Sequence, residues 1–295
     1  MAGDEERGGP PGWIGAWASV IAPASLLSAV LFYFGYVSSR EQYEYFGIDV
    51  DAVGLGTQDY VMRSPQPLLV PLIVLPLLGA GLLIAHAAVR ERVTAAGDDP
   101  RVVRAIRAAR VAGLLLLGAG VLLLFGYPLM SRWIYYELVT PLLLAAGGGL
   151  VGYLAWLRGS GPAAPPLALA RRAAAVLISV LIAASVLWAT ATVAGWSGRG
   201  RAHAQARNLH ELPRVVLDTK ERLHLRDPVV QETTLTAAEG QTFRYRYRKL
   251  RLLVVGRDRM FLVPEVWTAS NSTLVVPMDG SVRVQFQFEN QSPWD

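Results

Sequence analysis

The side chains best suited to chemistry are few. His203 and His210 stand seven residues apart, on one face if their stretch is helical, with Glu211 adjacent. Two histidines do not complete a structural zinc site, which takes four protein ligands. Asp49, Asp51 and Asp59 are oxygen donors for a divalent cation, yet Asp49-Val50-Asp51 lacks the glycine and glutamate framework of a calcium loop and reads as solvated acid. Phe243-Arg244-Tyr245-Arg246-Tyr247-Arg248-Lys249 interleaves rings and cations; in a strand the rings face one side and the arginines the other. Gripping a nucleic-acid strand needs both on one face, so the pattern predicts core aromatics under solvated arginines and no nucleic-acid partner. His224 reads as a strand-surface residue.

The chain has no cysteine, which excludes thiol nucleophiles, disulfides and thiolate metal centres. It also has no phosphate-cradling glycine loop, no G-x-S-x-G elbow and no H-E-x-x-H motif. The expectation is no catalytic residue, no cofactor and no metal.

The elements that would carry these residues are mostly apolar. Of 295 residues, 53% are hydrophobic and 17% charged, with a mean hydropathy of +0.33, a balance that disfavours an ordinary soluble globule. Trp13–Val37, Pro67–Val89, Val111–Met130, Leu138–Leu157 and Ala173–Trp196 contain no Asp, Glu, Lys or Arg. A hydrocarbon core of about 30 Å needs roughly 20 such residues in a helix, so each block predicts a span. The acidic leader Asp4-Glu5-Glu6-Arg7 is unlike a signal peptide, and the first span is expected to be retained.

The predicted fold is a bundle of five transmembrane helices over 13–196 followed by a small β-rich domain, sandwich- or barrel-like, over 213–295. A polar tail at 1–12 precedes the bundle, and a linker or short helix at 197–212, opened by Ser197-Gly198-Arg199-Gly200, joins the two. Strands are predicted at 215–218, 222–225, 229–235, 243–247, 250–255, 260–263, 273–276 and 281–288. Val282, Val284, Phe286 and Phe288 alternate with polar residues, the pattern of a sheet with one dry face. The aromatic segment 38–66 predicts a short helix or two over the bundle.

Orientation follows arginine, which short cytoplasmic loops carry in excess. Loop 90–110 holds Arg90, Arg92, Arg101, Arg104, Arg107 and Arg110, while 38–66 holds Arg40 and Arg63 against five acids. The first is read as cytoplasmic and the second as external, with the N-terminus inside and the C-terminal domain outside. Arg158, Arg171 and Arg172 agree; Arg199, Arg201 and Arg207 oppose. A re-entrant segment among the five would move the C-terminal domain to the cytoplasm. Arg101, Arg104 and Arg107 line one side of a helix, as topogenic charges or as a hold on lipid headgroups.

Within the spans His86 reads as an interfacial polar group. The dearth of ionisable side chains disfavours a charge-driven transporter, though not a pore lined by backbone or hydroxyl groups. Pro71 and Pro76 should bend the second span. Gly148 and Gly152 form a small-xxx-small pair for close helix packing, inside the bundle or in an oligomer.

Tyr45-Phe46-Gly47-Ile48-Asp49 through Gln58-Asp59-Tyr60-Val61-Met62-Arg63-Ser64 carries a resemblance, joined by Leu250-Arg251-Leu252-Leu253, Phe261-Leu262-Val263-Pro264 and Thr273-Leu274-Val275-Val276-Pro277. Together they resemble an uncharacterised family of actinobacterial multi-pass membrane proteins, over most of the chain. The near-exclusive use of arginine, with Lys220 and Lys249 the lysines among 28 basic residues, fits a high-GC genome. Arg248-Lys249 departs from the family, where a small turn residue is expected. The resemblance implies no activity, cofactor or partner. The expected function is therefore a non-enzymatic envelope accessory, scaffold or sensor, with membrane lipids around the bundle and a protein or envelope ligand on the C-terminal domain. The alternative is a channel or transporter subunit. An enzyme would need Asp49 or Asp59 facing residues of the C-terminal domain.

Overall fold

The computed structural model describes residues 12–96, 99–130, 132–158, 165–236, 240–268 and 270–287; the side chains of 12–23, 96, 158 and 165–167 lie outside the description. The helices are α1 (Gly12–Glu44), α2 (Val50–Val53), α3 (Thr57–Arg63), α4 (Pro65–Ala96), α5 (Pro100–Phe125), α6 (Tyr127–Met130), α7 (Tyr136–Arg158) and α8 (Pro165–Arg207). The strands are β1 (Arg214–Thr219), β2 (Gln231–Thr234), β3 (Tyr245–Val255), β4 (Arg259–Pro264), β5 (Leu274–Pro277) and β6 (Val282–Gln287). The chain divides into two compact units, one of Leu68–Ala194 and one of the residues up to Pro67 with those from Gly195 on.

In the first unit, charge-free apolar stretches make helices that satisfy their own backbone, the condition for lying in hydrocarbon. Four helices are long and apolar enough to cross a membrane: Pro65–Ala95, Pro100–Phe125, Tyr136–Leu157 and Ala168–Arg207. The expected fifth span is not among them. Trp13–Val37 lies in α1, but its side chains before residue 24 are outside the description, and the described remainder runs into the charged turn Arg40-Glu41. Leu72, Leu83, Leu115, Leu122 and Val176 are more than half exposed on the four helices, a surface suited to lipid.

Glycine sets the packing. A Cβ on Gly147 would collide with the backbone of Leu117, and one on Gly120 would lie 2.9 Å from the Leu144 side chain, so α5 and α7 approach closely. Gly148 and Gly152 face Leu181 and Ile178 of α8, where added Cβ atoms would sit 3.2 and 3.0 Å away. α4 runs as one helix through Pro71 and Pro76. His86 Nδ1 lies 3.0 Å from the Tyr153 hydroxyl, with the Trp156 ring also beside it. Arg101, Arg104 and Arg107 are exposed on the first turns of α5, which Asp99 caps through the Arg101 N–H.

The second unit is built on an antiparallel sheet of order β5-β4-β3-β1-β6, with β2 paired to the start of β3. The expected hairpin at Arg248-Lys249 is absent. The two strands drawn at 243–247 and 250–255 are one, β3, bulged where Val216 opposes Arg248 and Lys249. Lys249 takes the bulge with φ +62°, a left-handed conformation that side chains disfavour. A second irregularity at Leu253 shifts the facing set again.

The sheet is consequently buried on both faces, not one. Val215, Leu217, Tyr247, Leu250, Met260, Leu262 and Val276 form one cluster. Leu253, Val254, Phe261 and Val263 form the other with Tyr43, Phe46, Ile48, Val50, Val53 and Tyr60 from the first 67 residues, Ala202 of α8 and Leu209 of the 3-10 turn that follows it. The second layer of the expected sandwich is thus the 38–66 segment. Residues 222–225 form no strand, and the dry face of β6 thins at Phe286, half exposed; Phe288 is outside the described residues.

The linker expected at 197–200 is also a helix. α8 is unbroken through it, and Gly198 serves a crossing in which its Cα faces the Ser38 carbonyl. A core shared by 38–66 and the sheet requires both on the same side of any membrane the helices cross.

Candidate functional site

The segment between α1 and α2 folds around a tight turn. Tyr43 O accepts the N–H groups of both Phe46 and Ile48, and Gly47 turns the chain at φ +72°. Phe46 and Ile48 are thereby buried while Gly47 and Asp49 face out. Asp49 caps α2, its Oδ1 accepting the Asp51 N–H at 3.0 Å.

The facing wall is the stretch between β4 and β5. Asn271 organises it: Oδ1 accepts from the Thr268 N–H and, at 2.6 Å, from the Thr268 hydroxyl, while Nδ2 donates to Asp227. The Thr273 hydroxyl donates to Phe46 O at 2.6 Å, and the Trp267 ring stands edge-on to Phe46 at 5.1 Å, tying the two walls together.

Between them lies a cleft of about 810 Å3, with Phe46, Phe261 and Trp267 among its apolar residues and Glu44 and Asp49 as its charges; among the described residues no lysine or arginine lines it. A hollow of about 470 Å3 adjoins it through Glu44, Gly47, Ile48 and Asp49 and adds Tyr36, Arg40 and Asp51. Arg40 Nε donates to Glu44 at 2.5 Å, which leaves Asp49 and Asp51 as the acids without a basic partner there. Beneath this rim burial and the Asp51 charge push the Tyr60 phenol up to about 12, so it remains a neutral core hydroxyl.

The cleft can bind, by stacking on aromatics and hydrogen-bonding to hydroxyls and carboxylates, a neutral or cationic ligand of modest size. Among its lining residues no histidine, lysine or cysteine stands ready to activate Ser272 or Thr273.

Of the residues marked in the sequence, Asp49 reaches this cleft and Asp59 does not; Asp59 caps α3 by accepting the Gly56 N–H at 2.8 Å. His203 and His210 do not share a helical face, because α8 ends at Arg207 and His210 sits in a separate 3-10 turn; His203 packs on Tyr45 instead. Among the described residues no group of three His, Asp or Glu is placed to hold a metal. His224 is exposed in a loop at φ +50°, not on a strand.

Arg246, expected to be solvated, forks onto fully buried Asp218 at 2.8 and 3.0 Å. Arg283 reaches the same carboxylate from the other side at 2.5 Å, since both arginines are directly opposite Asp218 in register. Arg246 holds the Asp218 carboxyl below the usual range, Arg283 adding to the effect and burial opposing it. The sequence reading missed the far wall, 265–275. Its one signal is a polar run, Thr268 to Thr273, too long for a tight hairpin between two apolar strands.

No family model, curated protein or solved structure matches this chain.

Proposed function

We propose that the protein is a membrane-anchored accessory of the cell envelope whose loop 38–66 and C-terminal sheet together bind an extracytoplasmic ligand in the cleft. The observation that carries this reading is the shared core: Phe46, Ile48, Val50 and Val53 close one face of the sheet and leave the cleft along the join. A binding role fits a lining of rings, hydroxyls and acids without an activated nucleophile. The ligand is neutral or cationic, because Glu44 and Asp49 are the charges of the lining. The external assignment rests on the arginine excess of loop 90–110, with α1 as a fifth span and the N-terminus inside. Arg199, a positive charge on the side assigned as external, is paired with Glu41 at 2.6 Å and so has a structural task. The resemblance to actinobacterial multi-pass proteins is compatible with such a setting and adds no activity.

The natural absence of cysteine makes the test direct. Ser272→Cys, in the cleft, is expected to react with a membrane-impermeant maleimide in intact cells, and Ala95→Cys, within the basic segment 90–110, only after permeabilisation. Labelling in the reverse pattern overturns the external domain. A fluorophore on Ser272→Cys then reports occupancy; a signal from envelope fragments that Asp49→Lys leaves unchanged overturns the cleft as the site.

A further inference from the structure

Three polar residues stand at or near the ends of apolar stretches in the sequence. Ser38 directly follows the first stretch, Gln66 directly precedes the second, and Arg201 is five residues beyond Trp196, the end of the last. The three are joined: Arg201 donates Nη2 to Ser38 Oγ and Nη1 to Gln66 Oε1 at 3.2 Å. Arg63 on α3 donates to the Tyr43 hydroxyl at 2.6 Å, lies over that ring at 5.6 Å, and is near enough for its charge to act on Arg201.

Every acceptor in this set is neutral. Among the described residues neither guanidinium forms an ion pair with a carboxylate, and Glu41, the nearest acid to Ser38 in sequence, is engaged by Arg199. Arg201 Nε is buried with no hydrogen-bond partner, as is Ser39 Oγ on the neighbouring position of α1. Two half-buried like charges and an unsatisfied cationic N–H are unfavourable unless an anion balances them.

We propose that Arg63 and Arg201 form a binding site for a phosphate-bearing anion at the membrane–water boundary. The guanidinium fork matches phosphate oxygens in pairs, which ammonium groups do not. The place of Ser38 and Gln66 at the ends of apolar stretches sets the site at headgroup depth. A phospholipid headgroup and free phosphate share this chemistry. The site is separate from the cleft and does not depend on which side of the membrane the sheet occupies.

The test uses the full chain in phosphate-free dodecyl maltoside, with inorganic phosphate in one arm and phosphatidylglycerol in mixed micelles in the other. Native mass spectrometry and the melting temperature are the readouts. Arg63→Gln with Arg201→Gln is expected to weaken binding about tenfold or more, the loss of charge-assisted hydrogen bonds, whereas Arg101→Gln with Arg104→Gln and Arg107→Gln leaves the high-affinity adduct in place. A response to phosphatidylglycerol alone assigns a lipid, and a response to phosphate alone assigns a soluble anion. If the double variant misfolds, Arg201→Lys, which keeps the charge and loses the fork, replaces it and should still weaken the adduct. Wild-type protein unmoved in melting temperature by either probe, or adducts that depend on Arg101, Arg104 and Arg107 instead, overturns the site.

Discussion

Phe46→Ala tests the joining of the 38–66 segment to the sheet. Phe46 is 1% exposed, stands edge-on to both Tyr45 and Trp267, and packs in the cluster containing Leu253, Phe261 and Val263, more than 200 positions further along the chain. Removing a ring that is fully enclosed costs about 3–5 kcal/mol, the transfer of its atoms plus the cavity left behind. That is on the order of a hundredfold or more in the opening equilibrium of whatever folds with it, at about 1.4 kcal/mol per tenfold. The assay is hydrogen exchange of the full chain in detergent, read by mass spectrometry over β3 and β4. If one core holds both parts, amides of 250–264 exchange much faster in the variant, while those of α5 and α7 do not change. Met62→Ala, 74% exposed, is the control and should stay within about 0.5 kcal/mol. Unaltered protection of 250–264 in Phe46→Ala refutes the shared core, and with it the cleft.

Gly147→Ala should lower the melting temperature in detergent, with overpacking of about 1–3 kcal/mol where α7 meets the Leu117 backbone; Gly79→Ala, with nothing near its added methyl, should not. Lys249→Gly should stabilise the polar unit by about 0.5–1 kcal/mol in denaturant titration, since glycine takes φ +62° without the side-chain penalty. The Asp218 carboxyl has its folded pKa below the unfolded value, so its contribution is complete above about pH 3.9 and is lost as pH falls through the folded value. Asp218→Asn should cost about 1–3 kcal/mol at neutral pH and flatten that acid limb in pH-dependent melting.

Amino-acid order alone determined the elements whose cause is local. Three charge-free blocks of 20 or more residues lie whole in helices long enough to cross a membrane, because a backbone in hydrocarbon has no other partner than itself, whereas the expected span Val111–Met130 is split at Gly126 and its helix starts instead at Pro100. Most strands from 214 to 287 followed from alternation and turn residues for the same local reason. The cleft was not legible. Asp49 was visible as an acid, but its facing wall lies more than 200 residues on, and no local pattern couples Phe46 to Trp267 or Thr273. Tertiary structure also decided that Ser197-Gly198-Arg199-Gly200 is helix, since close passage against Ser38, not flexibility, is what uses Gly198. It decided too that Arg248-Lys249 is a bulge, since β1 pairs across the whole of β3 and keeps it one strand. The fate of the arginines shows the division most plainly. Arg101, Arg104 and Arg107 are exposed on the first turns of α5, whereas Arg246 became half of a buried carboxylate clamp. Register alone brings Asp218 opposite it, and a buried charge must find its partner.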